Sequence, residues 1–318
     1  METNNHEVEY SAKKVLAMVR RAVVGKDPVL VWVLAAILAR GHILVEDVPG
    51  VGKTTMAVAF AKTLSLQWNR IQFTPDVLPS DVTGYSVLNP TDGTMTFRPG
   101  AVLCNLLLAD ELNRATSRTQ SALLEAMEEG QVTVDGQTHP IPKPFVVIAT
   151  QNPTGAAGTQ MLPDSQMDRF AIRLRIGYPS AKDEARMVLD RQSGNPVQTL
   201  QPVLSREELT HLQELTAQTY LSETVVEYIV ALTRATRTHS DVLQGASPRA
   251  TLAVADMARA MARLKGRDFV TPEDVQDVFS ITLAHRLLLT TQAEAAGVTT
   301  TVVLQNILQQ TAAPGLGR

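Results

Sequence analysis

Hydrophobic positions along the chain change their spacing near residue 180. Before that point, short apolar runs alternate with stretches of helical period. "HILVED", "NLLLADE" and "FVVIATQN" are apolar runs of strand length that end in polar residues, as buried strands do. "KTTMAVAFAKTL" follows the first of them with a helical pattern. "TSRTQSALLEAMEEG" places Gln120, Leu123, Leu124 and Met127 on one helical face and closes at Gly130. Residues 9–22 carry a further helical period that ends near Gly25. The run from Val29 to Ala39 is apolar all round, started by Pro28 and stopped by Gly41, which predicts a buried helix. Buried strands alternating with helices predict an α/β fold, with a parallel sheet covered on both faces.

Two segments interrupt the alternation. "SVLNPTDGTMTF" has a turn-rich centre between short β-like arms, and "QVTVDGQTHPI" sets Asp135-Gly136 between alternating arms, a hairpin signature. A parallel sheet needs neither, so both are candidate functional projections. Beyond residue 180 the strand signals fade. Ser247 and Pro248 start a helix that runs to Gly266, and Thr271, Pro272 and Asp274 form a capping box for the next. The predicted organisation is a core over 1–180 carrying an N-terminal helix and both hairpins, an all-helical domain over 181–290, and a loosely held tail over 291–318.

Composition narrows the function classes. Apolar residues make up 44% and charged residues 19%, ordinary for a globular chain, and 4% aromatic content argues against an aromatic-rich barrel. A net charge of −3 without a dense Lys/Arg run argues against a nucleic-acid partner. The single cysteine, Cys104, lies in an apolar run and reads as a buried small hydrophobe. Val29 to Ala39 is too short to span a bilayer. With no signal-peptide pattern, a cytoplasmic protein is expected.

The candidate chemistry begins in "LVEDVPGVGKTT". The general phosphate-loop pattern is G-x-x-x-x-G-K-[ST]; Gly52, Lys53 and Thr54 fill its end, but Asp47 stands in place of the first glycine. A bare Gly-Lys-Ser/Thr triplet arises by chance in roughly one in six chains of this length, and requiring Gly50 as well reduces that to about one in a hundred. Gly50 and Gly52 would let backbone N–H groups turn toward phosphate oxygens at a helix N-terminus. Lys53 would reach the β- and γ-phosphates of ATP, and the Thr54 hydroxyl would ligate Mg²⁺. The strand of "NLLLADELN" ends in Asp110-Glu111, adjacent carboxylates that cost desolvation unless they serve a purpose. Beside a phosphate loop, Asp110 would hold Mg²⁺ and Glu111 would polarise the attacking water. Asn152, at the end of "FVVIATQNP", would orient that water; before Pro153 it reads equally well as a turn residue.

Together these residues resemble the AAA+ ATPases, and within them the MoxR family. The segments that carry the resemblance are "VVGKD", "LVEDVPGVGKTT", "RIQFTPDVLPSDVTGY", "LLLADELNRATSRTQSALLEAMEEGQVTVDG", "FVVIATQNP", "LPDSQMDRF" and "GASPRA", in order over residues 24 to about 290. The resemblance implies a P-loop core with a five-stranded parallel sheet, followed by a helical lid. It implies that Val24 and Gly25 border the adenine and that Gly50, Val51, Gly52, Lys53, Thr54 and Thr55 bind the nucleotide. It implies that Thr54 and Asp110 hold the metal and that Glu111 and Asn152, as sensor 1, serve catalysis. Arg169 in "MDRF" is similar to an arginine finger that enters the neighbouring subunit's site. Arg249 in "SPRA" looks like the lid's sensor-2 arginine on the γ-phosphate. Arg114 would lie at the subunit boundary. The hairpins match inserts that face the channel of a ring.

Further implications concern partners: a ring, hexameric in the family, and a separate von Willebrand factor type A domain protein. The expected function is an ATPase acting as a chaperone-like remodelling or maturation factor, with metal-enzyme complexes among its possible clients. The alternatives are a nucleic-acid-stimulated motor, a magnesium-chelatase-like subunit, or a nucleotide-dependent scaffold, which the intact Asp110-Glu111 pair disfavours. Thr116-Ser117 and Asp164-Ser165 depart from the commoner family residues without touching the proposed chemistry.

Overall fold

The computed structural model describes residues 6–48, 50–91, 93–151, 162–192 and 194–315. Helices α1 (Glu7–Val19) and α2 (Asp27–Leu38) precede strand β1 (His42–Glu46) and helix α3 (Lys53–Thr63). Then come β2 (Trp68–Gln72), α4 (Pro79–Thr83), β3 (Gly84–Leu88), β4 (Met95–Pro99), β5 (Leu106–Asp110) and α5 (Ser117–Glu129). The core ends with β6 (Gln131–Val134), β7 (Gln137–Pro140), β8 (Val146–Gln151), the short α6 (Asp164–Met167) and β9 (Phe170–Leu174).

The five-stranded sheet runs in the order β2-β5-β8-β1-β9, and every pairing in it is parallel. Its central strands are buried on both faces, which is why they read as continuous apolar runs. Successive residues enter opposite layers. Ile43, Leu106, Leu108, Val146 and Ile148 join the cluster built with α1, α2 and α3. Leu44, Leu107, Ala109, Val147 and Ala149 join the cluster built with α5.

Both expected hairpins form, as β3–β4 and β6–β7. At the second turn Asp135 (φ 50°) and Gly136 (φ 76°) are both left-handed, as a two-residue hairpin turn of this hand requires. Phe97 of the first hairpin stacks on His139 of the second, with ring centroids 3.7 Å apart and nearly parallel planes. The two projections are thereby tied to each other.

Helix α7 (Ala181–Gln192) leads into α8 (Arg206–Ala217), α9 (Glu223–Thr238), β10 (Val242–Gln244), α10 (Pro248–Leu264) and α11 (Pro272–Leu283). Strand β11 (Leu288–Leu289), α12 (Thr291–Ala295) and α13 (Thr300–Gln310) complete the described chain. Helices dominate this half, with one short antiparallel ladder, β10–β11, tying the turn after α9 to the end of α11. The looseness expected of the C-terminal end is corrected. Thr299 caps α13, and Val303, Leu304 and Ile307 are buried against the helices before it. The Ala/Thr-rich composition hid an amphipathic period.

The helical lid shares an apolar core with the sheet domain. One apolar cluster runs from the sheet through α1 and α2 into α8, α9, α10 and α11. Separating the layers would re-expose large apolar side chains at about 2 kcal/mol each. That cost far exceeds thermal energy, so this seat of the lid is firm.

Candidate nucleotide site

The loop between β1 and α3 is shaped by its two glycines. Gly50 has φ 88° and Gly52 has φ 95°, a region that costs a residue with a Cβ about 1–2 kcal/mol. Gly52 is the N-cap of α3, so the free N–H groups of the first turn face the loop. Asp47, the departure from the general pattern, has a clear structural task. Its carboxylate accepts hydrogen bonds from the N–H groups of Val48 (2.8 Å), Ile176 (2.7 Å) and Gly177 (2.5 Å). It ties the start of the loop to the segment that leaves β9.

Lys53 is buried, and its Nζ donates to the Asp47 carbonyl oxygen at 2.5 Å. Burial pulls its ammonium below the usual lysine value, against the opposing pull of Asp47, Asp110 and Glu111. A desolvated cation resting on one carbonyl is poised to gain from a polyphosphate.

The acid pair stands at the end of β5. Thr150, on the neighbouring β8, joins the two carboxylate residues. Its hydroxyl donates to Asp110 Oδ1 at 2.6 Å and accepts the Glu111 N–H at 2.9 Å. Glu111 is left-handed (φ 55°, ψ 45°), an unfavourable conformation for a non-glycine residue that this hydrogen bond helps to hold. Arg70 of β2 pairs with Asp110 Oδ2 at 2.8 Å, and Arg114 pairs with Glu111 at 3.0 Å. Arg114, expected at a subunit boundary, is within its own chain the ion-pair partner of Glu111.

Two cavities meet at the phosphate loop. One of about 380 Å³ is lined by Gly50, Gly52, Lys53, Thr54, Asp110 and Glu111, with Thr55, Arg70 and Gln72. The other, of about 480 Å³, is lined by Val24, Val51, Thr55, Tyr178, Met187 and Val188 among others, and shares Gly50 and Gly52 with the first. A polar chamber joined to an apolar one fits a molecule with a charged tail and a flat apolar head. Gly25, between the lining residues Val24 and Lys26, lets α7 approach closely: at φ 70°, a Cβ would come within 2.3 Å of Asp183 Oδ2. The donor set also fits Mg²⁺, which takes hydroxyl and carboxylate oxygens and leaves its other positions to phosphate and water.

The two remaining arginines lie elsewhere. Arg169, just before β9, and Arg249, in the first turn of α10, both pair with Glu128 near the end of α5. They line a separate cavity of about 290 Å³ that shares no residue with the other two. Lid residues fix the Arg169 segment: Arg286 donates to the carbonyl oxygens of Asp168 and Phe170, and Ser247 donates to the Asp168 carboxylate. The expected sensor-2 arginine therefore stands beside the expected finger, away from the chain's own phosphate loop. Asn152 lies outside the described residues. Sequence reasoning missed Thr150, Arg70 and Glu128. A buried threonine two residues before Asn152 was the available signal for the first; nothing in the spacing marked the other two.

A parallel sheet with a phosphate loop after β1, an acid pair after β5 and a helical lid defines the AAA class of ATPases. The profile of the ATPase family associated with various cellular activities (AAA) matches residues 42–172, and that of the AAA lid domain matches 234–307. The chain is 40% identical to Chaperone MoxR1 of Mycobacterium tuberculosis, over 96% of this chain and 83% of that protein. It is 30% identical to Protein MoxR of Methylorubrum extorquens, over 85% of each. The chain belongs to the MoxR family of AAA+ ATPases. It is also 44% identical to the uncharacterized protein YeaC of Bacillus subtilis, over 95% of this chain and 94% of that one. A crystal structure of a candidate ATPase from Cytophaga hutchinsonii superposes with a TM-score of 0.90 at 36% identity, covering 97% of this chain and 96% of that chain. No helix among the described residues is long and apolar enough to cross a membrane.

Proposed function

We propose that this protein binds ATP with Mg²⁺, hydrolyses it, and uses the cycle to remodel partner proteins. The observation that carries the reading is the convergence of Lys53, Thr54, Asp110 and Glu111 on one chamber, with Thr150 locking the two carboxylate residues together. In this reading the N–H groups at the start of α3 and the Lys53 ammonium bind the β- and γ-phosphates. Thr54 and Asp110 hold Mg²⁺, which neutralises phosphate charge when bound. Glu111, released from Arg114, accepts a proton from the attacking water, and Asn152 orients that water. Val24, Gly25, Val51 and Thr55 border the base and sugar.

Arg169 and Arg249 complete the site from a neighbouring copy. Their shared cavity, distinct from their own chain's phosphate chamber, supports that reading. Hydrolysis then requires a ring, taken as a hexamer, with the core over 1–180, the lid over 181–290 and the end of the chain beyond. The chaperone name of a relative 40% identical supports protein clients, with metal-enzyme complexes as one class. A separate von Willebrand factor type A protein is the partner we would seek first, in the cytoplasm.

The test is turnover by purified protein. Lys53→Ala should abolish ATP binding and hydrolysis, and Glu111→Gln should keep binding and stop hydrolysis. A Glu111→Gln protein that turns over ATP at the normal rate would sink the mechanism.

A further inference from the structure

Glu128 lies in the last turn of α5, next to Glu129. A carboxylate at a helix C-terminus is disfavoured by the helix dipole. Here it faces two guanidinium groups from different parts of the fold. Arg169 of the core approaches Oε2 at 3.1 Å, and Arg249 of the lid contacts Oε1. Without a carboxylate between them, two guanidiniums this close would repel and splay apart.

Among the described residues, the contacts leave both arginines with capacity to spare. In each pair one terminal N–H group meets Glu128, out of five donors on a guanidinium. Arg169 Nε is buried and has no hydrogen-bond partner among the described residues. The surroundings fix the backbone on both sides: Arg286 and Ser247 hold the segment around Asp168, and Ser247 caps α10, which carries Arg249. Among the described residues, Glu128 alone pairs with both side chains.

We propose that Glu128 is a positioning residue. It holds Arg169 and Arg249 as one two-armed receptor for the terminal phosphate of the nucleotide on a neighbouring copy. This rests on the reading above that both arginines act across a subunit boundary. Phosphoryl transfer depends on positioning and charge neutralisation, so a splayed pair would lower the chemical rate while leaving the neighbour's phosphate loop free to bind.

The experiment measures steady-state ATPase of the full chain. Glu128→Ala should lower kcat roughly 10- to 100-fold, with KM for ATP within about twofold. Glu128→Asp, which keeps the charge, should recover part of the loss. Should the alanine variant not fold, Glu128→Gln removes the charge with little change of shape and gives the same readings. Glu128→Ala is then mixed with Lys53→Ala, and Arg169→Ala is mixed with Lys53→Ala in parallel. One partner supplies intact arginines and the other an intact phosphate loop, so the activity of each mixture should exceed the sum of its parents' activities. Recovery in the Arg169 mixture alone would overturn the assignment of Glu128 and leave action across the boundary standing. Recovery in neither would overturn that reading and this proposal with it. Normal turnover by Glu128→Ala, or a defect in KM alone, would also overturn it.

Discussion

The Asp47 carboxylate accepts the Gly177 backbone N–H at 2.5 Å, joining the start of the phosphate loop to the segment between β9 and α7. The same oxygen accepts the Ile176 N–H. The side chain that breaks the general phosphate-loop pattern thus connects two walls of the candidate nucleotide site, since Tyr178 and α7 line the apolar chamber.

Asp47→Ala should therefore weaken both stability and binding. Hydrogen bonds to a charged group contribute about 1.5–3 kcal/mol each, so losing this set should lower the melting temperature by several degrees. It should also raise the Kd for a fluorescent ATP analogue. Unchanged melting and unchanged affinity together would refute the role given to Asp47.

Thr150→Val is close to isosteric and removes only the hydroxyl. It leaves Asp110 Oδ1 without its donor and the Glu111 N–H without its acceptor. The expected result is a loss of roughly tenfold or more in kcat and about 1–3 kcal/mol in stability. Turnover as a function of Mg²⁺ concentration should shift as well, because Asp110 loses the restraint on its orientation.

Arg114→Ala frees Glu111 from its ion pair. If this pairing restrains the general base before assembly, basal hydrolysis should rise and depend less on protein concentration. Assays across a dilution series check this, and a fall in basal rate at every concentration would refute a restraining role.

Acid should destabilise the fold through two histidines, His42 half-buried beside β8 and His285 buried. The Val147 N–H donates to His42 Nδ1 at 3.0 Å, so Nε2 carries the proton that meets the Met127 carbonyl oxygen at 3.2 Å. The ring is neutral, and burial lowers its pKa from 6.5 to about 4. Burial, with Arg286 and Arg173 nearby, also depresses His285, whose Nε2 lies 2.9 Å from the Phe170 carbonyl oxygen. Between those values the unfolded chain binds protons that the folded chain refuses, so stability is complete above pH 6.5 and falls as pH drops toward 4. His42 alone should account for on the order of 3 kcal/mol. Melting temperatures across this range check the slope, and His42→Gln should flatten it.

Central strands and helices were legible because their burial leaves a periodic mark. The apolar runs of β1, β5 and β8 lie where the pattern put them. The edge strand β2, "WNRIQ", was not legible from pattern: it is largely exposed, so no run of apolar residues marks it. The amphipathic period of α13 was masked by its Thr- and Gln-rich solvent face. That Lys53, Thr54, Asp110 and Glu111 would line one chamber was legible, because the proposed phosphate and metal chemistry calls for those residue types after β1 and β5, the strands that flank β8.

By itself, the sequence determined the alternation of strand and helix, the glycines of the phosphate loop, and the residues that can hold phosphate and metal. These follow from local conformational preference and from the chemistry of single side chains. Only the tertiary structure decided what Asp47 does, that Thr150 links the acid pair, and that Glu128 brings Arg169 and Arg249 together. Glu128 and Arg249 are 121 positions apart, and Asp47 and Gly177 are 130 apart. Such contacts leave no local trace, because the packing of the whole sheet and lid sets which distant surfaces meet.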